Sequence, residues 1–373
     1  MLTVIIFLLI LGVLVFVHEM GHFITARRNG VKADEFGFGF PPRACGFFKD
    51  EKTGKYKFVW GNKEIESKST VYSINWIPLG GFVRIKGADT SETGEDSFVE
   101  KKAWPRIKIL AAGVMMNFIF AWLLISLALW IGAPESTDST DVTVPNAKIQ
   151  ITEVVPDSPA DLAGIKIGDE ILKNNVQTNF AGVADVQSYI KTNQGREIVF
   201  NVLRGADTIE IKVVPRENAP ANQGAIGVGL AQTIIVKYPV HQALWKGAVA
   251  VYDITLMILL ALGGIIVKLF AGNGVGAEVS GPIGIAILTK QVATMGFVYI
   301  LQFAAMLSIN LGIINALPIP ALDGGRILFI LIEKIKGSPI TQKTEQAFHT
   351  VGFVFLILLM ILITLRDVVK IIK

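Results

Sequence analysis

The sequence predicts a polytopic α-helical membrane protein into which a β-rich loop and one α+β domain are inserted. Three observations predict this class. The 373 residues are 51% hydrophobic and only 18% charged, with a mean hydropathy of +0.52, which is too apolar for an ordinary soluble chain. Four stretches are long enough to cross a bilayer, which takes about 20 apolar residues. Two polar regions between them contain short runs that alternate apolar and polar residues, as strands do.

The four predicted spans are residues 2–24, 107–131, 297–317 and 348–365. The first begins like a signal peptide, but no small-residue cleavage site follows it, so we expect it to be retained. A fifth apolar stretch, 243–270, contains Asp253, Lys268 and a glycine pair. We expect it to lie along the membrane surface or to dip without crossing, which leaves about four transmembrane helices.

Basic residues predict the orientation of the chain, since Lys and Arg cluster in loops that remain in the cytoplasm. Sixteen of the 35 Lys and Arg residues lie between positions 25 and 108. We therefore place this loop in the cytoplasm, with the first span running inward and the second outward. These cations are scattered among acids, which argues against a nucleic-acid partner. The single cysteine, Cys45, fits a reducing compartment.

The cytoplasmic loop contains short aromatic and β-branched runs that predict a small sheet. They are EFGFGF at 35–40, KYKFVW at 55–60, STVYSINWI at 69–77 and GGFVRI at 80–85. Aromatic rings favour the membrane–water interface, so we expect the sheet to contact lipid at the inner leaflet or to dip into it. A fully solvated sheet is the alternative.

Residues 147–217 form the predicted α+β domain. Strand-like alternation occurs in KIQITEVV, REIVFNVLR and TIEIKVVP, whereas SPADLAG and VADVQSYIKT have helical character. The stretch DSPADLAGIKIGDEIL resembles the PDZ domain, in the permuted form found in bacterial proteases. A PDZ domain would bind an extended chain, such as a peptide C-terminus, at a sheet edge. A spacer domain without a ligand is the alternative.

The predicted segments follow from these features. They are the first span (1–26), the cytoplasmic loop with its membrane-reentrant sheet (27–106), the second span (107–132), a polar linker (133–146), the PDZ-like domain (147–217), a connecting region with a surface helix at 243–270 (218–296), the third span with the acidic turn (297–325), a second cytoplasmic loop (326–347), the fourth span (348–366) and a tail (367–373).

The motif HEMGH at residues 18–22 stands at the end of the first apolar run, where polar side chains are expensive. On an α-helix His18 and His22 share a face, so both imidazoles can bind one Zn²⁺ while Glu19 faces a water molecule on the metal. A chance match to H-E-x-x-H is rare in a chain with four histidines. A helix end that has merely reached water is the other alternative.

A catalytic zinc has three protein ligands and an open position, so a third ligand is required. Asp323 is the candidate, in the stretch LPIPALDGG at the cytoplasmic end of the third span. Pro318 and Pro320 are expected to end the helix, and Gly324 and Gly325 to let the backbone turn back. An aspartate at this depth is costly unless it ligates a metal.

The motif HEMGH and Asp323 must lie on the same side of the bilayer if they bind one metal ion. The first and third spans must then both run inward, which is why we expect 243–270 not to cross and the fourth span to return the C-terminus to the outside. The two remaining histidines, His241 and His349, lie at the edges of apolar segments without supporting motifs.

HEMGH in the first span, a permuted PDZ unit between the second and third, and NALPIPALDGG near the end together resemble the site-2 proteases. These are zinc intramembrane proteases, and the likeness is to the bacterial branch that includes regulator of sigma-E protease. It covers nearly the whole chain. The resemblance implies that His18, His22 and Asp323 hold zinc and that Glu19 activates the water.

The resemblance also implies contacts with substrate. Asn315 and Asn310 would hydrogen-bond the unwound substrate backbone. On a regular helix five residues leave their side chains about 140° apart, so Asn310 could instead bond a neighbouring helix. GGFVRI matches the family's membrane-reentrant β-loop, and its substrate-facing residues would be Gly80, Gly81, Phe82 and Val83.

Some stretches match the family without an assigned role, and some depart from it. SGPIGIA at 280–286 occurs in the branch. AAGVMMNF at 111–118 keeps Gly113 and Asn117 of the family's G-P-x-x-N pattern but has Val114 where proline is usual, and Arg326 stands where histidine is common. Only one PDZ unit is recognisable. None of these departures touches an expected zinc ligand.

The resemblance implies a zinc endopeptidase that cleaves transmembrane segments of single-pass membrane proteins, such as anti-sigma factors or remnant signal peptides. It would lie in a bacterial inner membrane, with the PDZ unit outside and the active site near the cytoplasmic face. One alternative is a zinc-binding scaffold that recruits partners through its PDZ unit. A metal-ion transporter is another, but it would need polar residues continuing through the bilayer, and the spans contain few.

Overall fold

A computed structural model of the chain describes residues 2–63, 65, 67–88, 92–136, 147–174, 180–205, 207–220, 223–271, 281–338 and 340–372. Most of the predicted linker at 133–146 lies outside the described residues, as does Ser280 of SGPIGIA. The chain divides into two compact units. The membrane unit comprises Met1–Ile125, Lys246–Ala286 and Ala304–Lys373, and the α/β unit comprises Ser126–Trp245 and Ile287–Phe303.

The described helices are α1 (Leu2–Arg28), α2 (Ala103–Ile131), α3 (Pro159–Leu162), α4 (Val183–Thr192), α5 (Val240–Phe270), α6 (Pro282–Met295), α7 (Phe297–Ala316), α8 (Asp323–Lys336) and α9 (Gln342–Ile372). Within the described residues, five helices are long and apolar enough to cross a membrane, namely α1, α2, α5, α7 and α9. Four of them correspond to the predicted spans. The fifth, α5, is the stretch predicted to lie along the surface, and by length and composition it also qualifies.

The acidic turn lies between α7 and α8. Helix α7 ends at Ala316, as expected from the prolines that follow it. The expected role of the two glycines was wrong, because the left-handed residue of the turn is Ala321, with φ of +73°. Gly324 and Gly325 instead lie in the first turn of α8, where an added Cβ would come within 2.3 Å of a backbone carbonyl oxygen. The glycines therefore permit close packing of α8 against the turn.

The predicted cytoplasmic loop at 326–347 is largely helical. It contains most of α8 and the start of α9. Helix α8 exposes Leu328, Leu331, Ile332 and Ile335, which are spaced as one stripe of an amphipathic helix. This spacing was present in the sequence, so the apolar periodicity could have predicted the helix within this connection.

The strands are β1 (Ala33–Lys49), β2 (Tyr56–Trp60), β3 (Val71–Ile85), β4 (Ala133–Ser136), β5 (Lys148–Val154), β6 (Glu170–Asn174), β7 (Ile198–Arg204), β8 (Asp207–Val213) and β9 (Val228–Val236). The first three form the predicted small sheet in the order β2-β1-β3. Both ends of β3 pair with β1, since Phe36 lies opposite both Tyr72 and Val83. The last part of β3, residues 81–85, pairs with β1 on one side and packs against α1 at Phe16.

The α/β unit contains a six-stranded antiparallel sheet in the order β4-β9-β5-β6-β7-β8. The predicted strands are β5, β7 and β8, and the predicted helices are α3 and α4. Alternate strand residues are buried, as the sequence pattern requires, and Phe200 at the centre of the core has no exposed surface. The sheet extends beyond the predicted boundaries of 147–217, because β4 and β9 also belong to it.

Candidate active site

Three predicted ligands converge in the membrane unit. Helix α1 carries His18 and His22 one turn apart, and Asp323 is the first residue of α8. The two Nε2 atoms are 3.1 Å apart, and Oδ2 of Asp323 lies 3.0 Å from Nε2 of His18 and 3.3 Å from Nε2 of His22. The two histidines are 6% exposed, so the group is shielded from solvent.

The geometry of this group fits a zinc ion. Ligand bonds of about 2.0–2.1 Å that meet at tetrahedral angles separate ligand atoms by about 3.3 Å, close to the three observed distances. Nδ1 of His22 donates a hydrogen bond to the carbonyl oxygen of Ile109, so its Nε2 presents a lone pair to the carboxylate of Asp323. A cation is the group that stabilises such a convergence of buried acceptors.

Glu19 lies beside this group and is held by the small sheet. The backbone N–H of Val83 lies close to the Glu19 carboxylate. A Cβ at Gly81 would lie 3.2 Å from Cβ and Cγ of Glu19 and 2.6 Å from Cα of Phe16, so β3 can approach α1 this closely only with a glycine there. The sheet edge and the candidate general base are therefore in direct contact.

A cleft of about 370 Å³ connects these groups. Its lining includes the three converging ligands, Glu19, Asn315 of α7, and Gly81, Phe82 and Val83 of β3. Two of the predicted substrate-binding residues lie elsewhere. Asn310 does not line the cleft, and Gly80 packs on Val15, where an added Cβ would be 2.6 Å from the valine side chain.

The turn that presents Asp323 is held by α9. The backbone N–H of Ala321 donates to Nδ1 of His349, 2.8 Å away. Gly352 lies against Pro320, where an added Cβ would come within 2.1 Å of the proline ring. Sequence reasoning gave His349 no role, because its partner is a backbone group 28 positions earlier and leaves no pattern.

Three residues of α2 complete the surroundings of the histidines. Besides the carbonyl oxygen of Ile109, the amide of Asn117 lies 3.1 Å from Nδ1 of His18, and a Cβ at Gly113 would be 2.4 Å from Nε2 of His22. Gly113 and Asn117 were noted in the sequence only as members of a family pattern. Ile109 was missed, and no signal could have identified it, since any residue supplies the same carbonyl.

An ion pair anchors the small sheet outside the spans. Arg43 donates from Nε and Nη2 to the two carboxylate oxygens of Glu35, at 2.8 and 2.6 Å. Burial raises the pKa of Glu35, but the hydrogen bonds from Arg43, together with smaller contributions from Ser73 and from the charges of Arg43 and Arg84, outweigh burial and hold that pKa below its usual range. The pair joins the two halves of β1, and Arg84 of β3 also approaches Glu35.

Comparison with known proteins finds one matching family model and several similar proteins that are named as proteases. The family model described as Peptidase family M50 matches residues 6–359. The regulator of sigma-W protease RasP of Bacillus subtilis (strain 168) is 32% identical over 98% of this chain and 98% of its own length. The zinc metalloprotease RasP of Oceanobacillus iheyensis is 30% identical over 99% of each chain, and a putative zinc metalloprotease of Clostridium perfringens is 31% identical over 97% of each.

Proposed function

Because this chain belongs to peptidase family M50, the site-2 proteases, we propose that it hydrolyses peptide bonds within the transmembrane segments of single-pass membrane proteins. It is a zinc metalloprotease of the membrane. The observation that carries the proposal is the convergence of His18, His22 and Asp323 within 3.3 Å of one another, beside Glu19, on helices of a membrane unit.

In this proposal His18, His22 and Asp323 hold the metal and Glu19 is the general base. Zinc, when bound, would lower the pKa of water towards about 7 and polarise the scissile carbonyl. The Glu19 carboxylate accepts a proton from the attacking water and later delivers it to the leaving amide nitrogen. The nearby N–H of Val83 would favour the ionised form of this carboxylate.

A substrate helix hides its carbonyl groups in its own hydrogen bonds, so it must unwind before it can be cleaved. Residues 81–85 of β3 offer a strand edge beside Glu19, and an extended substrate segment would pair with it. The amide of Asn315, across the cleft, would hydrogen-bond the substrate backbone. Asn310 lies outside the cleft, and the proposal gives it no substrate contact.

The proposed location is a bacterial inner membrane, with the active site near the cytoplasmic face. The basic loop at 27–106 supports this orientation. A single crossing by α5 would reverse α7 relative to α1 and carry Asp323 to the face opposite the basic loop. We therefore retain α5 as a helix that does not cross, and place the α/β unit outside. Anti-sigma factors and remnant signal peptides are the proposed substrate class.

The α/β unit is proposed to be a PDZ domain that binds a peptide C-terminus. Strand β4 pairs with β9 only along Thr233–Val236. Along residues 228–232, β9 pairs with β5 alone among the described strands, and α4 lies nearby. An extended peptide could add to this part of the edge, antiparallel to β9.

Glu19→Gln tests the proposed activity. The variant should keep stoichiometric zinc and lose about 10²- to 10⁴-fold in cleavage of a tagged single-span substrate, because the amide cannot accept the proton. Glu100→Gln, an exposed change in the same chain, is the matched control and should cleave normally. Cleavage by Glu19→Gln at the wild-type rate would overturn the assignment, and this comparison also separates a protease from a zinc-binding scaffold.

A further inference from the structure

We infer that α2 fixes the tautomers of both zinc-binding imidazoles, and that Asn117 is a positioning residue whose side-chain oxygen accepts the Nδ1 proton of His18. The inference deepens the proposed function and rests on it. A metal-binding histidine commonly donates its second ring N–H to a carboxylate or carbonyl, which orients the ring and fixes the tautomer. Here both partners come from one helix face.

The tautomer of His22 follows from its partner. Nδ1 lies 2.8 Å from the carbonyl oxygen of Ile109, and a carbonyl oxygen only accepts hydrogen bonds. Nδ1 of His22 therefore carries the proton. In the neutral ring Nε2 is then bare, and it is this atom that faces His18 and Asp323.

For both rings to bind one metal ion through Nε2, His18 must adopt the same tautomer as His22. Its Nε2 lies 3.0 Å from Asp323 and 3.1 Å from Nε2 of His22, so Nε2 is the metal-facing atom and Nδ1 must hold the proton. Among the residues that the structure describes, the side chain within hydrogen-bond distance of that Nδ1 is the amide of Asn117, at 3.1 Å. The amide oxygen can accept a hydrogen bond from the Nδ1–H of His18. The amide nitrogen is a donor, so facing Nδ1 it would require a bare Nδ1 and a proton on Nε2.

The side chain of Asn117 has no exposed surface. With the amide nitrogen turned towards His18, Oδ1 is buried without a hydrogen-bond partner among the described residues, and the opposite rotation would put the nitrogen in that place. The tautomer that zinc requires of His18 therefore decides between the two rotations. The nitrogen and oxygen of an amide are assigned from their hydrogen bonds, and the opposite rotation gives the oxygen the His18 N–H as its donor.

The spacing along α2 explains how one helix serves both rings. Ile109, Gly113 and Asn117 are four residues apart in turn, so they lie on one face. At Gly113 a Cβ would come within 2.4 Å of Nε2 of His22 and 2.8 Å of Cε1 of His18. The glycine thus lets this face approach closely enough for the residues on either side of it to reach Nδ1 of each ring.

Asn117→Asp and Asn117→Leu test the inference, with Ser308→Ala as the control. Aspartate presents only acceptor oxygens and should keep zinc affinity within a few fold, whereas leucine should weaken it by about 10- to 100-fold. Ser308 donates to the backbone oxygen of Asn117 rather than to a ring, at 2.8 Å, so its loss should leave zinc affinity unchanged. Zinc affinity is measured by chelator competition on the full chain in detergent.

A second readout reports the tautomers directly. The chain has four histidines, so ¹⁵N spectra of histidine-labelled, zinc-loaded protein can resolve them. His18 should carry its proton on Nδ1 in every variant, but in Asn117→Leu, which lacks the acceptor, this proton should exchange faster with solvent than in the wild type and in Asn117→Asp. His22 should stay in the Nδ1 form throughout, which verifies that each variant is folded around α2.

The outcomes separate this inference from the proposed function. If wild-type protein binds no zinc, the proposed function fails. If it binds zinc and Asn117→Leu binds equally tightly, or Asn117→Asp loses as much affinity as Asn117→Leu, the inference is overturned while the protease assignment stands.

Discussion

The proposed metal centre of the membrane unit and the apolar core of the α/β unit are both buried, but different interactions hold them together. The core of the α/β unit consists of aliphatic and aromatic side chains, with Phe200 and Val202 fully buried at its centre. At the metal centre, polar contacts join residues far apart in the chain. His22 meets Ile109 across 87 positions and His18 meets Asn117 across 99.

Because the interactions differ, a substitution should have a different consequence in each region. Apolar packing is non-directional and distributed over many contacts, so its loss is expressed mainly as stability. The contacts at the metal centre are few and directional, so displacing one atom changes ligand geometry before it changes folding. Substitutions in the two regions should therefore affect different measurements, stability for the apolar core and zinc affinity for the proposed metal centre.

Phe200→Ala should give the largest loss of stability. Removing a fully buried phenylalanine costs about 3–5 kcal/mol, here confined to the α/β unit. Hydrogen exchange of β7 in the full chain should accelerate accordingly, while zinc content stays at the wild-type level. Val214→Ala, at a half-exposed position, is the control and should change neither. Loss of zinc on Phe200→Ala would show that the two regions are not separable.

Glu35→Gln should have the next largest effect and depend on pH. It leaves Arg43 buried without its charged partner, at a cost of about 3 kcal/mol near neutral pH. The folded-state pKa of Glu35 is lowered, so its contribution is present above the ordinary carboxyl pKa and is lost as pH falls through the folded-state value.

Thermal unfolding at several pH values measures this contribution. The difference between wild type and Glu35→Gln should be full at pH 7 and should shrink below about pH 4, as the wild-type carboxyl becomes protonated. A difference that is constant over this range would mean that the carboxylate charge contributes nothing.

Gly113→Ala should have the smallest effect on folding and a specific effect on metal. The added methyl group must displace the imidazole of His22, so zinc affinity should fall by about 10- to 100-fold with little change in unfolding temperature. Gly263→Ala is a matched control within α5, since no atom lies within 4 Å of the added Cβ. Equal zinc affinity in the two variants would contradict the close approach of α2.

The sequence predicts most strongly those features that arise from local patterns. Alternation gave β5, β7 and β8, and helical spacing gave α4. The motif HEMGH by itself predicts that its two histidines lie side by side, because residues four apart share a helix face. The pairing of this motif with Asp323 was predicted from the cost of an acid at membrane depth, and the structure brings the three side chains together.

Features that depend on distant partners were missed. Strand β4 has four residues and is a strand only because it pairs with β9, 100 positions later. Backbone hydrogen bonds to side chains, such as those of Ala321 and Ile109, have no residue preference that a sequence could reveal. Helix α8 is different, since its apolar stripe was visible and was overlooked.

Two main-chain groups contact the proposed catalytic side chains. The N–H of Val83 lies beside the Glu19 carboxylate, and the carbonyl oxygen of Ile109 accepts a hydrogen bond from His22. A genetic screen for inactive mutants should recover position 117 through its amide, whereas position 109, where every amino acid offers the same oxygen, should be recovered only through its fully buried side chain. At 83 only proline would delete the donor. The side chain there lines the cleft and packs against Phe23 and Phe36, so substitutions at 83 should act through the size of the side chain.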